Sequence, residues 1–254
     1  MVHFVGAGPG AEDLITLRGA ALLEAADQVI YAGSLVNPAL LSRCREGCVI
    51  LNSAAMTLED VITAIETAEA KGQMTVRLHT GDPSVYGAIR EQMDRLDALG
   101  IAYEVCPGVS SFCGAAAALG AEYTLPGVSQ SVILTRMAGR TPVPARENIA
   151  SLAAHGASMA VFLSAGMLDA LTEELLKGAY TPETPAAIVY KASWPEERTI
   201  RCTLKTLAES ASAAGITKTA LVLVGDFLGS DYERSRLYDP DFTTGYRKGN
   251  THED

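Results

Sequence analysis

Gly6-Ala7-Gly8-Pro9-Gly10 constrains this chain more than any other stretch. It follows a short apolar run, Val2 to Val5, and precedes an amphipathic helix expected from about Thr16. A strand that ends in glycines and leads to a helix makes a ligand-binding turn, because glycine lets the chain bend sharply and a ligand approach the main chain. Gly6, Gly8 and Ala11 fit the pattern of a dinucleotide turn. Three details oppose that use. Pro9 removes a backbone N–H from the place where a pyrophosphate would be cradled. Glu12 and Asp13 bring negative charge close to it. The acid about 20 residues on, Asp27, precedes the next strand instead of ending it. The turn reads as one that holds a ligand without phosphates.

Beyond it, apolar strands alternate with amphipathic helices. Strands are expected at Val2–Ala7, Gln28–Tyr31, Cys48–Leu51, Met74–His79 and Ala102–Val105. Helices are expected at Thr16–Ala26, Thr57–Lys71 and Ser84–Leu99, the last closed by Gly100. This alternation predicts a mainly parallel sheet covered by helices on both faces. Two further strand-to-helix loops then matter. Thr80-Gly81-Asp82-Pro83-Ser84-Val85-Tyr86-Gly87 follows one strand, and Cys106-Pro107-Gly108-Val109-Ser110-Ser111 follows another. In a parallel sheet such loops share the carboxyl edge, where ligands bind. Asp82 is either a polar contact for that ligand or the cap of a helix starting near Ser84. His79, beside the Gly81 loop, is either a base or a strand-end residue.

Leu125-Pro126-Gly127 breaks the pattern, so the N-terminal α/β domain is placed at 1–120. A second α/β domain is placed at 121–235. Its strands are expected at Ser131–Thr135, Ser158–Leu163, Ala186–Tyr190, Thr199–Cys202 and Thr219–Val224. Its helices are expected at Asn148–His155, Met167–Leu176 and Leu204–Ala214. No helix separates the strands from Ala186 and Thr199, so they read as a hairpin in a mixed sheet. A polar tail is placed at 236–254, disordered near its end.

The formal net charge of −10 disfavours nucleic-acid and membrane surfaces, which require a basic face. No apolar run has membrane-spanning length, and the first residues enter a strand at once, leaving no room for a cleavable signal. Cys44, Cys48, Cys106, Cys113 and Cys202 lack metal-ligand spacing and read as reduced cytosolic thiols. A cytoplasmic protein without a structural metal is expected. Tyr123 to Arg146 contains no Asp or Glu but carries Arg136, Arg140 and Arg146. A basic stretch on an acidic chain suits an anionic small substrate; the alternative is a solvated inter-domain loop.

The order of these motifs resembles the tetrapyrrole methylases. The resemblance rests on Gly6–Gly10, Gly81-Asp82-Pro83, Pro107-Gly108-Val109-Ser110 and Gly225-Asp226, and it covers nearly the whole chain. Two stretches, Tyr31-Ala32-Gly33-Ser34-Leu35-Val36-Asn37-Pro38 and Leu134 to Pro144, resemble the branch that methylates C11 of precorrin-4 or cobalt-precorrin-4 in cobalamin biosynthesis. The resemblance implies two α/β domains with a cofactor cleft between them, and a homodimer. It implies S-adenosyl-L-methionine as methyl donor and S-adenosyl-L-homocysteine as product. By family pattern the donor would touch Pro9, Thr80, Gly81, Asp82, Val85, Ser110 and Ser111, and, from the second domain, Ala165 and Ala192. Arg136, Arg140 and Arg146 would meet the carboxylates of a polycarboxylate tetrapyrrole, for which the planar guanidinium is suited. The competing readings are a sister methylase acting at another ring position, a nicotinamide oxidoreductase and a non-catalytic tetrapyrrole carrier.

Overall fold

The computed structural model describes residues 1–250. The chain forms two compact units. The first is Met1–Leu119 together with Tyr190–Arg198; the second runs from Gly120 to Val189 and from Thr199 onward.

In the first unit, β1 (Val2–Gly6), β2 (Gln28–Tyr31), β3 (Val49–Asn52), β4 (Thr75–His79) and β5 (Tyr103–Cys106) form one sheet in the order β3-β2-β4-β1-β5. Every pairing in it is parallel, with Val2 opposite both Thr75 and Tyr103. The inner strands β1, β2 and β4 are buried almost throughout, as a sheet covered on both faces requires, whereas the edge strands β3 and β5 are largely exposed. The helices are α1 (Leu17–Ala25), α2 (Leu58–Glu69), α3 (Ile89–Leu99) and α4 (Ser111–Leu119). Thr16 caps α1 by accepting from the Gly19 N–H at 3.1 Å. Thr57 and Asp60 cap α2 reciprocally. Val5, Val29, Val76 and Leu78 pack with Leu23 and Leu40 on one face. Phe4 and Ile30 pack with Val61, Ile62, Ile65 and Leu96 on the other.

One helix starts later than its sequence suggests. α3 begins at Ile89, not Ser84. Tyr86 and Ala88 adopt left-handed backbone, with φ of 56° and 50°. A Cβ on Gly87 would lie 2.1 Å from the Pro83 carbonyl oxygen. Residues 83–88 therefore fold as an irregular loop, and Asp82 caps no helix there.

In the second unit, β6 (Val132–Arg136), β7 (Ser158–Phe162), β8 (Pro185–Tyr190), β9 (Arg198–Thr203) and β10 (Ala220–Val224) take the order β6-β7-β10-β8-β9. β6 runs parallel to β7 and β10 antiparallel to it, so this sheet is mixed. β8 and β9 are neighbours, as their short connection predicts. α5 (Ile149–Ala153), α6 (Leu168–Leu175) and α7 (Leu207–Ala213) accompany them. The helix expected from Leu204 opens with a 3-10 turn at Leu204–Thr206, where the Thr206 hydroxyl accepts from the Thr203 N–H at 3.2 Å. Beyond Gly229 the chain is largely exposed, with the Arg247 guanidinium donating to the Leu237 and Asp239 carbonyls. The end of the expected tail, 251–254, lies outside the described residues.

Among the described residues, no helix is long and apolar enough to cross a membrane. Among them, too, no three His, Cys, Asp or Glu side chains gather in a way that could hold a metal ion.

Candidate functional site

Strand order decides which loops meet. β1 lies between β4 and β5, so the turns leaving their carboxyl ends are neighbours. The Gly8 N–H donates to the Gly81 carbonyl at 3.2 Å, and the Gly81 N–H donates back to Gly8 at 2.8 Å. A Cβ on Gly108 would lie 2.2 Å from the Gly81 oxygen, and one on Gly6 would lie 2.5 Å from the Gly108 Cα. The three turns interlock backbone to backbone, which only glycine permits at this separation.

Asp82 fastens the interlock. One carboxylate oxygen accepts from the Gly108 N–H at 2.8 Å; the other accepts from the Ser84 N–H at 2.8 Å and from the Ser84 hydroxyl. Partial burial opposes the charge, but the bonds from Ser84 and Gly108 outweigh it and hold the carboxyl below its usual range. Asp82 is thus a charged brace between two loops.

Thr80 and Val85 lie on either side of this brace. The Thr80 hydroxyl oxygen is buried and makes no hydrogen bond among the described residues. The Val85 N–H donates to the Asp82 carbonyl at 3.2 Å. The far end of the loop is anchored from the core. Buried Arg77 donates to Gln92 Oε1 at 3.1 Å and to the Ile30 carbonyl at 3.0 Å, and Gln92 donates to the Ala88 carbonyl at 3.1 Å. Burial lowers the Arg77 guanidinium to about 10, so it keeps its charge at neutral pH. Ser110 is buried and Ser111 opens α4; the Ser111 nitrogen would lie 3.3 Å from a Cβ on Gly81.

Pro9 packs against α4, where a Cβ on Gly114 would lie 2.7 Å from the Pro9 ring. Ala192 reaches the same spot, 3.5 Å from that point. The sequence reading assigns Ala192 to the second domain, whereas its segment, Tyr190–Arg198, clusters with the first unit. That segment grips the first turn. Trp194 Nε1 donates to the Pro9 carbonyl at 3.1 Å, and the Ser193 hydroxyl accepts from the Ala11 N–H at 2.9 Å. From a third direction, Asn37 donates to the Gly10 carbonyl at 2.9 Å and accepts from the Ala39 N–H. Sequence reasoning missed Asn37, Ser193 and Trp194 as supports of the turn. Asn37 lay in a stretch singled out by resemblance, but no local pattern reveals bonds between groups 182 and 185 residues apart.

His79 ends β4, fully enclosed beside the Phe4 ring at 6.1 Å between centroids. Burial, aided by Arg77, lowers its imidazole to about 3. It is neutral at physiological pH and a poor proton acceptor, which favours the strand-end role over that of base.

The remaining candidates lie in the second unit. Ala165 is buried in the turn after β7, following Leu163, whose φ is 53°. Its neighbour Ser164 accepts from the Met137 N–H at 2.9 Å, tying this turn to the segment after β6. Arg136 folds back on that segment, donating to the carbonyls of Met137 and Thr141 at 3.1 Å each and of Pro142 at 2.7 Å. Arg140 is exposed; Arg146 is exposed and lies 3.4 Å from Glu147. The first unit thus brings together Pro9, Thr80, Gly81, Asp82, Val85, Ser110, Ser111 and Ala192. The second brings Ala165 near the Arg136 loop.

The tetrapyrrole (corrin/porphyrin) methylase family model matches residues 1–208. The chain belongs to this family. The tetrapyrrole methylases similar to it include a cobalt-precorrin-4 C(11)-methyltransferase of Methanocaldococcus jannaschii, 51% identical over 248 residues, covering 97% of this chain and 96% of that protein. A solved structure of a cobalamin biosynthetic enzyme, cobalt precorrin-4 methyltransferase, superposes with a TM-score of 0.88 at 43% identity, covering 90% of this chain and 96% of that one. A uroporphyrin-III C-methyltransferase of Thermus thermophilus, solved with S-adenyl homocysteine, gives 0.74 at 28% identity, covering 89% of this chain and 92% of that one.

Proposed function

We propose that this protein transfers a methyl group from S-adenosyl-L-methionine to C11 of precorrin-4 or cobalt-precorrin-4, in the building of the corrin ring of cobalamin. The observation that carries this reading is the near full-length likeness to enzymes named for that reaction. The geometry of the first unit supports the donor. The buried Thr80 hydroxyl lacks a partner among the described residues, and a buried polar group left so is costly. Its bonding capacity suits the polar groups of a nucleoside. Pro9 and Ala192, both buried against Gly114, offer small apolar surfaces of the kind that lie against a purine.

When bound, the donor supplies an electrophilic methyl carbon on a sulfonium centre. Thr80, Gly81, Asp82 and Val85 would hold its polar parts, with Pro9, Ser110, Ser111 and Ala192 completing the site. The ring carbon, made electron-rich by the adjacent pyrrole nitrogen, is the nucleophile. Such a displacement requires alignment above all, which contributes about 7–11 kcal/mol. A rigid interlock of turns is suited to that task. Arg140 and Arg146 would pair with ring carboxylates. Arg136 would shape the loop that presents them, since three of its bonds go to that loop. The proposal includes a homodimer acting in the cytoplasm, on a small polycarboxylate and not on nucleic acid or membrane.

Calorimetric titration of stripped protein with S-adenosylhomocysteine, with NAD as control, tests the donor. One equivalent bound per chain, with no response to NAD, is expected. Folded protein that binds NAD and not S-adenosylhomocysteine would overturn the reading.

A further inference from the structure

Trp194 is the only tryptophan of the chain. Its position against the glycine turn is unusually close. A Cβ on Gly10 would lie 2.0 Å from Trp194 Cδ1 and 2.3 Å from Nε1, so the indole edge occupies the space a side chain would take. The same Nε1 bonds the Pro9 carbonyl, one peptide away. Ser193 next to it takes the Ala11 N–H. The turn from Pro9 to Ala11 is therefore shaped from outside, by side chains that come late in the sequence.

The segment that carries these side chains is itself braced. Lys191 and Ser193 hold left-handed backbone, with φ of 48° and 65°. Non-glycine residues adopt such conformations at a cost and do so mostly at functional sites. The Trp194 N–H donates to the Lys191 carbonyl at 2.9 Å, and the Glu197 N–H donates to the Trp194 carbonyl at 3.0 Å. The Lys191 ammonium stands 4.9 Å from the Trp194 ring and pairs with Glu196 at 3.2 Å. The Ser193 N–H is held by Glu197. Such a network fixes the indole's direction. Between the two strained residues lies Ala192, beside Pro9.

We propose that Trp194, with Ser193, is a positioning residue of the donor site. The pair sets the backbone of Pro9–Ala11 and presents Ala192 to the same surface. The inference rests on the methyl-donor reading above. It explains why an exposed-looking Ser-Trp-Pro loop between two strands packs on a turn near the N-terminus, and why that turn needs no side chain at Gly10.

The test uses the intact protein and S-adenosylhomocysteine as probe. In the wild type, Trp194 emission should change on titration and saturate at the same concentration as the calorimetric signal. Trp194→Phe keeps a ring but loses the N–H donor. It should fold and weaken S-adenosylhomocysteine about tenfold, the scale of one lost hydrogen bond. Ser193→Ala should act in the same direction. In turnover, KM for the donor should rise while KM for the tetrapyrrole holds. Unchanged emission at calorimetric saturation would overturn the proposal, as would wild-type affinity in both variants. A parallel rise in both KM values would also overturn it, since that marks a merely structural role. A wild type that does not bind the probe refutes the donor reading itself, and is thereby told apart from failure of the variants alone.

Discussion

Asp82 carries its charge where two loops must be held together, and the structure gives that charge to the Ser84 and Gly108 amides. Asp82→Ala should destabilise the fold by about 1–2 kcal/mol, discounted for its partial exposure, and weaken donor binding at least tenfold. The pH behaviour follows from its lowered folded value. Its contribution is complete above the unfolded value of about 3.9 and is lost as pH falls through the folded value. Asp82→Asn should therefore flatten the acid limb of a stability profile below about pH 4. His79 acts at higher pH. Its folded value of about 3 lies under its ordinary 6.5, so between these the unfolded chain binds a proton that the folded chain refuses. Stability rises with pH across that window. His79→Gln should remove this slope in denaturant titrations from pH 4 to 7, while kcat stays within about threefold, because a base this weak gives little general-base assistance at neutral pH.

The interlocked turns separate two uses of glycine. Gly108 is required by contact, whereas Gly100 sits in open space with φ of 68°. Gly108→Ala should cost about 3 kcal/mol or more, since neighbouring backbone cannot move aside. Gly100→Ala should cost about 1 kcal/mol and leave donor binding intact. Thermal melts with a donor titration check both. In the second unit, Arg136→Lys replaces a fork that reaches three carbonyls with a point donor. Hydrogen exchange over Met137–Pro142 should quicken, and KM for the tetrapyrrole should rise. Unchanged exchange would remove Arg136 from its role in the loop. Most elements were legible because their signals are local. The Val, Ile and Leu runs from Gln28, Thr75 and Ala220 carry their own strand pattern, and Thr16, Thr57 and Gly100 mark helix ends. The start of α3 was not legible. Ser84–Ala88 runs without a break into the Ile89–Leu99 pattern, but Gly87 against Pro83 bends the chain away, and only packing reveals that.

At the scale of the molecule, the meeting of three glycine loops at one edge was legible from the alternation of strands and helices alone. Which strands are adjacent was not, and adjacency of β4, β1 and β5 is what makes the loops interlock. The Asp82 brace and the Trp194 grip were also hidden, since each joins backbone to side chain across long sequence separations. Arg136 was read as a partner for substrate carboxylates, and the bonds its guanidinium makes to its own loop were not legible. These parts converge on one function, methylation of a tetrapyrrole at C11. The most direct measurement supplies methyl-13C S-adenosylmethionine with precorrin-4 and, separately, cobalt-precorrin-4, and reads the labelled carbon in the product by NMR. One labelled methyl group on C11 is expected with at least one of the two substrates. A label on another ring carbon, or no transfer by protein that binds both the donor and the tetrapyrrole, would contradict it.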